Sequence, residues 1–241
     1  MNSIWIITKR ELASFFDSLI AYILIVLFLG VSGFFTWLSG GDVFFSNQAN
    51  LQPFFGIAYW LLIIFVPAIT MRTIAEENRS GTLELLSTKA VSDWEIVVGK
   101  FLSCLLLMMI TLAFTIPYYI TISALGDVDH GGIIGGYFGL ILMSAAYISM
   151  GVFASSVTNN QIVAFLIAFF LGLFFQILFD IISSSFRGAV GNTLHFLSFR
   201  SHYESLTRGV VDLRDLLYFG SIIVAGLLFS TTMLTKRNWK A

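Results

Sequence analysis

The chain is short of charge, of cysteine and of proline. Only 11% of its 241 residues are Lys, Arg, Asp or Glu, while 57% are hydrophobic. That leaves too little polar surface to cover a soluble globule, and a water-soluble fold is excluded. The 13 basic residues are balanced by 14 acidic ones, so charge gives no footing for nucleic acid. A single cysteine, Cys104, lies inside an apolar run; it excludes an intrachain disulfide and a paired-cysteine metal or redox motif, and reads as a small buried hydrophobe. There is no HExxH, no GxSxG and no nucleophile with a base beside it. Gly99-Lys100 would end a phosphate-binding GxxxxGK loop only if position 94 were glycine, and it is Trp94. The chain therefore has no catalytic residue and no ATPase site of its own, and is not an enzyme.

What the chain has instead is long stretches free of formal charge: 18–41, 43–71, 101–126, 131–179 and 216–235. A helix crosses a membrane in about 20 residues, so the fourth stretch holds two, divided at the polar cluster Ser155 to Gln161. The expectation is an all-α integral membrane protein, one domain over residues 1–241, with six spans near 19–38, 53–71, 98–125, 133–154, 161–182 and 215–235. The first run is longer than a signal-peptide core and is read as a retained anchor. With six spans both termini share a side. Lys9, Arg10, Arg72, Arg79, Lys89, Lys100, Lys236, Arg237 and Lys240 lie there, against Arg187, Arg200, Arg208 and Arg214 opposite. That bias predicts cytoplasmic termini, hence a multi-pass membrane protein in contact with lipid.

Residues 72–100 then face the cytoplasm, and they carry nine of the chain's Lys, Arg, Asp and Glu residues. Ser92-Asp-Trp-Glu95 has the form of a capping box that starts a helix running straight into the third span. The second span is expected to continue in helix through Arg72 to about Asn78 and to break at Gly81. Residues 82–89 then form a short helix whose Leu83, Leu85 and Leu86 suit a groove on a partner. Before the first span, Trp5, Thr8, Leu12, Phe15 and Phe16 recur at helical spacing, predicting an interfacial amphipathic helix over 3–16.

Pro67 and Pro117 lie inside spans and predict kinks; Pro53 suits a first turn. Gly131, Gly135 and Gly139, with Gly132 and Gly136 beside them, form rows along which backbones approach closely. Between spans five and six, apolar and charged residues from Leu194 to Arg214 interleave as short helices at the outer surface. His195 and His202 lack a third ligand at metal spacing and read as surface histidines. Asp180, near the outer end of span five, is the one weak candidate for a substrate pathway.

Several phrases resemble the permease subunits of the ABC-2 group of ATP-binding-cassette transporters. They are Pro67-Ala-Ile-Thr-Met-Arg72, Glu76-Glu-Asn-Arg-Ser-Gly-Thr-Leu-Glu-Leu-Leu86, Ser92 to Lys100, Gly151 to Phe165, and His202-Tyr-Glu-Ser-Leu-Thr-Arg-Gly209. Within the group they look most like gliding-motility-associated permeases. The resemblance implies a permease half paired with a second half, identical or homologous, and with two P-loop ATPase subunits that bind ATP and Mg; this chain itself would bind no cofactor, no metal and no nucleic acid. It implies re-entrant helices in the outer segment and an ATPase-coupling region over 72–97, drawn from Glu76, Glu77, Arg79, Gly81, Thr82, Leu83, Glu84, Leu85, Leu86 and Lys89.

Overall fold

The charge-free stretches become helices. The structure, a computed structural model, describes residues 3–39, 49–81, 91–186 and 188–238. Within them the chain is all-helical: α1 (Ser3–Asp17), α2 (Leu19–Trp37), α3 (Gln52–Thr70), α4 (Ala75–Ser80), α5 (Asp93–Ala113), α6 (Ile116–Leu125), α7 (His130–Val157) and α8 (Gln161–Leu173). A π-helical turn, Phe174–Leu178, follows, then α9 (Phe179–Ser185), α10 (Ala189–Phe196), α11 (Phe199–Thr207) and α12 (Leu213–Asn238). Six helices among the described residues are long and apolar enough to cross a membrane: α2, α3 with α4, α5 with α6, α7, α8 to α9, and α12.

The fourth of these, α7, is the hub. It packs against α3, α5, α8, α11 and α12. Its sequence has no charged residue and many Gly, Ala and Ser, and a helix apolar all round belongs in an interior. The glycine rows serve these contacts. A Cβ on Gly135 would meet the Leu206 carbonyl oxygen at 2.2 Å, and one on Gly139 would meet Tyr203 and Leu206 of α11 at 3.1 to 3.2 Å. On the neighbouring row Gly136 receives the Phe55 ring of α3. Gly131 meets the carboxylate of Asp129 instead, so the row is a seat for α11 along two of its three steps. Gly151, which does not fit the sequence pattern, is just as close to α3, with Thr70 inside contact distance of its missing Cβ.

The third span is bent where proline predicts. α5 stops at Ala113, Phe114 and Thr115 form a turn, and α6 restarts with Pro117 in its first turn. Thr115 is satisfied by Tyr137 of α7, whose hydroxyl donates to the Thr115 carbonyl at 3.1 Å and lies 3.0 Å from the Thr115 hydroxyl. Pro67, by contrast, sits within an unbroken α3. Asn160 ends the α7–α8 turn, its side-chain oxygen accepting from the Ile162 amide.

The N-terminal helix turns inward most of the face its spacing suggests, with Leu12 and Phe16 packed against the core, but Ile7 joins that face and Trp5 leaves it. Ile7, Thr8 and Phe15 are buried, while Trp5 is exposed with the Lys9 ammonium over its ring. The cause lies on α5. Gly99 has no side chain, so Ile7 occupies that place and the Thr8 hydroxyl reaches the Gly99 carbonyl at 3.2 Å.

Gly135→Val should push α11 off α7 and lower stability by about 1–3 kcal/mol, the usual cost of overpacking. Gly131→Ala should stay within about 0.5 kcal/mol of wild type, the range of a substitution away from tight packing. Thermal unfolding of the two purified variants in detergent measures the difference.

Candidate functional site

The described residues of the 72–100 platform, 72–81 and 91–100, are held by an interruption that the sequence does not announce. The helix does not run on through Arg72. It ends at Thr70, turns through Met71 to Ile74 and resumes as α4. Ser155 of α7 explains the break. Its hydroxyl oxygen accepts from the amides of Ile74 and Ala75 at 3.0 and 2.9 Å and faces the Met71 carbonyl at 3.1 Å. One buried serine thus replaces the backbone bonds that the turn gives up. The Thr73 hydroxyl takes the Thr70 carbonyl at 2.8 Å.

Beside this turn lies a buried ion cluster. The Lys100 side chain is 1% exposed, and its ammonium is 2.9 Å from Glu77 Oε1, 3.5 Å from Glu11 Oε1 and 2.6 Å from the Thr73 carbonyl. Arg10 closes the outer side, 2.6 Å from Glu11 and 3.5 Å from Glu77. Three elements meet here: α1 supplies Arg10 and Glu11, α4 supplies Glu77, and α5 supplies Lys100. An ammonium taken out of water is tolerated only when paired and hydrogen-bonded, so Lys100 fixes all three together.

The sequence-predicted coupling residues divide accordingly. Glu76 is exposed and pairs with Arg72 at 3.2 Å. Glu77 turns inward to Lys100. Arg79 is exposed, and Gly81 closes α4 in the left-handed conformation, φ 71°, that glycine adopts without strain. Thr82, Leu83, Glu84, Leu85, Leu86 and Lys89 lie outside the described residues. Past them the Ser92 capping box is present in both halves. The Glu95 amide donates to the Ser92 hydroxyl at 3.3 Å, and the Ser92 amide donates to the Glu95 carboxylate at 2.9 Å. Thr235 of α12 donates to Asp93 at 3.0 Å, tying the last span to the start of α5. Asn78, next to Glu77, is buried with neither amide atom bonded.

At the opposite end of the bundle, Asp180 is not isolated. Arg200 of α11 reaches it at 3.2 Å and reaches Glu204 at 2.7 Å. Hydrogen bonding to Glu204 and the attraction of both carboxylates raise the Arg200 pKa above its ordinary value. The histidines part company. His202 is buried rather than superficial, with Nδ1 2.7 Å from Asp215 Oδ1 and Nε2 2.7 Å from the Phe196 carbonyl. Both nitrogens are engaged within the chain, and no cluster suited to a metal ion occurs among the described residues. The π-helical turn places Gln176 inward, where its oxygen accepts from Tyr147 and its amide donates to the Tyr59 carbonyl at 3.2 Å. Between α3, this turn and α11 opens a cavity of about 420 Å³ walled by Tyr59, Trp60, Gln176, Asp180, Arg200 and Glu204. Sequence reasoning singled out Asp180 but did not join Gln176, Tyr59, Trp60 or Arg200 to it, because the wall is assembled from segments far apart in the chain.

The profile of the ABC-2 family transporter protein matches residues 43–208. The chain is also 27% identical over 194 residues to the "Probable ABC transporter permease protein NosY" of Pseudomonas aeruginosa, covering 75% of this chain and 70% of that protein.

Lys100→Met should leave Glu77 and Glu11 facing one another without a buried cation and cost about 3 kcal/mol. Lys100→Met combined with Glu77→Leu should recover at least half of that, because the partly buried carboxylate goes with its partner. Ser155→Ala should cost about 1–3 kcal/mol by leaving two amides unpaired. Chemical denaturation of the variants in detergent provides the comparison.

Proposed function

The chain belongs to the ABC-2 family of transporters and is a transmembrane permease subunit of an ABC transporter. On that premise we propose that its platform converts the closing of a separate ATPase pair into movement of the spans. The observation that carries this is the buried Lys100 cluster. α4 leads directly to residue 82 and onward to the short helix expected over 82–89. Force applied there enters α4, passes through Glu77 to Lys100, and so reaches α5 at its first turns. α5 then runs from Asp93 to Ala113 without a break, so the displacement travels into the membrane along a rigid rod. Ser155 brings α7 along at the same point.

In this reading Glu76 and Arg79 face the ATPase, while Glu77 transmits force rather than contacting the partner. ATP and Mg are bound by the ATPase subunits, two per complex, and a second permease half completes the assembly. The platform and both termini lie in the cytoplasm of a bacterium and the spans in its inner membrane, in keeping with the Lys/Arg bias. The resemblance carried by the quoted phrases as a set supports export or movement of a substrate, with gliding motility as the setting we propose.

Single cysteines at positions 82 to 86, in a chain carrying Cys104→Ala, should crosslink to the ATPase in the assembled complex. Absence of crosslinks at every position, with the complex intact by size exclusion, would remove the coupling assignment. The Lys100→Met, Glu77→Leu pair should still assemble, yet lower the effect of this subunit on ATP hydrolysis at least fivefold. Undiminished stimulation would show that force bypasses the cluster.

A further inference from the structure

The cavity at the end of the bundle away from the platform has no part in the coupling just described, and its wall is chemically selective. One side is aromatic. Tyr59 and Tyr203 stack with ring centroids 5.3 Å apart, and Phe55 and Trp60 extend the surface, Trp60 being 49% exposed. The other side is charged, with two carboxylates, Asp180 and Glu204, against the single guanidinium of Arg200. Arg208 approaches Glu204 only at 3.9 Å, from outside, and does not line the cavity. Deep in the wall Tyr59 is 7% exposed, and its buried hydroxyl has no hydrogen-bond partner within the chain by distance and angle. A buried hydroxyl without a partner costs stability, and the tyrosine that carries it lines a space large enough for a small molecule.

Charge and geometry together select the occupant. Aromatic faces carry negative potential and attract cations. The carboxylates outnumber the guanidinium, so an anion would meet net repulsion. A neutral alcohol could bond to Tyr59 but would gain nothing from either wall. An N–H-bearing cation gains from all three features: it donates to Tyr59 Oη, pairs with the carboxylates and lies against the rings. The rim also includes Ile177 and the exposed Ile181, which offers an apolar flank a place to lie. We propose that this cavity is a binding site for an amphipathic organic ammonium, a primary or secondary amine in its charged form attached to an apolar body. The assignment concerns binding and does not rest on the coupling reading.

Isothermal titration calorimetry on the purified permease–ATPase complex, without nucleotide, tests it with three probes of one size: 2-phenylethylammonium, 2-phenylethanol and phenylacetate. The ammonium should bind saturably and at least tenfold more tightly than either of the others. Tyr59→Phe should weaken it about fivefold, and Asp180→Asn combined with Glu204→Gln more than tenfold. No saturable heat with the ammonium overturns the proposal, as does alcohol binding within twofold of it, or an unchanged affinity in the double variant. Should the double variant fail to assemble, Trp60→Ala at its half-exposed position decides: a loss of threefold or more supports the site, and wild-type affinity rejects it. Because no ATP is present, failure here leaves the coupling experiment untouched, and failure there leaves this one untouched.

Discussion

A buried ammonium has to be answered, and the answer given to Lys100 sets the arrangement of the whole platform. Two carboxylates from different helices and the carbonyl of Thr73 surround it. Remove the cation and those groups have no reason to converge. With it in place, α1 cannot lift from α5 and α4 cannot swing on the turn after α3. Ion pairs of this kind contribute little net stability compared with apolar packing, because desolvation consumes most of the attraction. Their value here is geometric: they specify one relation among three helices and penalise every other.

That relation is reinforced by neutral hydrogen bonds rather than by bulk. Ser155 occupies the gap in α3's backbone ladder, and Thr8 bonds to the Gly99 carbonyl. Small residues make both possible. Gly99 admits Ile7, and Gly151 admits Thr70 one turn before Ser155. In an apolar surrounding the drive that brings helices together cannot be hydrophobic, so close backbone approach and hydrogen bonding carry it. α7, made largely of such residues, is the element on which the others are seated.

Much of this was legible in the sequence, and the limits have physical causes. The spans follow from runs without charge, because no other feature spares a membrane helix the cost of an unpaired ion. The capping box at Ser92 and the left-handed Gly81 are local rules, complete within a few residues, and both appear as their residue types require. The turn after Thr70 was not legible: nothing between Met71 and Ile74 breaks a helix by itself, and the cause, Ser155, lies some eighty residues away. Lys100 was counted only as a charge at the platform end, and its partners Glu11 and Glu77 belong to other elements. His202 failed for the same reason. A histidine in a polar-looking segment gives no sign that Asp215 and a backbone carbonyl will enclose it.

The irregular backbone falls into two groups that differ in support. At the platform end, the turn from Met71 to Ile74 is bonded on every side, by Ser155, by Thr70 and by Lys100. At the other end, the π-helical turn at Phe174–Leu178 borders an open cavity, and α6 begins at a proline turn tied mainly to one tyrosine. A π turn widens the helix by a residue and is common where a ligand is met. Stiffness is therefore unequal along the spans. The third span has no break from Asp93 to Ala113, and the first irregular backbone along it is the Phe114–Thr115 turn held by Tyr137, which is separate from the cavity wall.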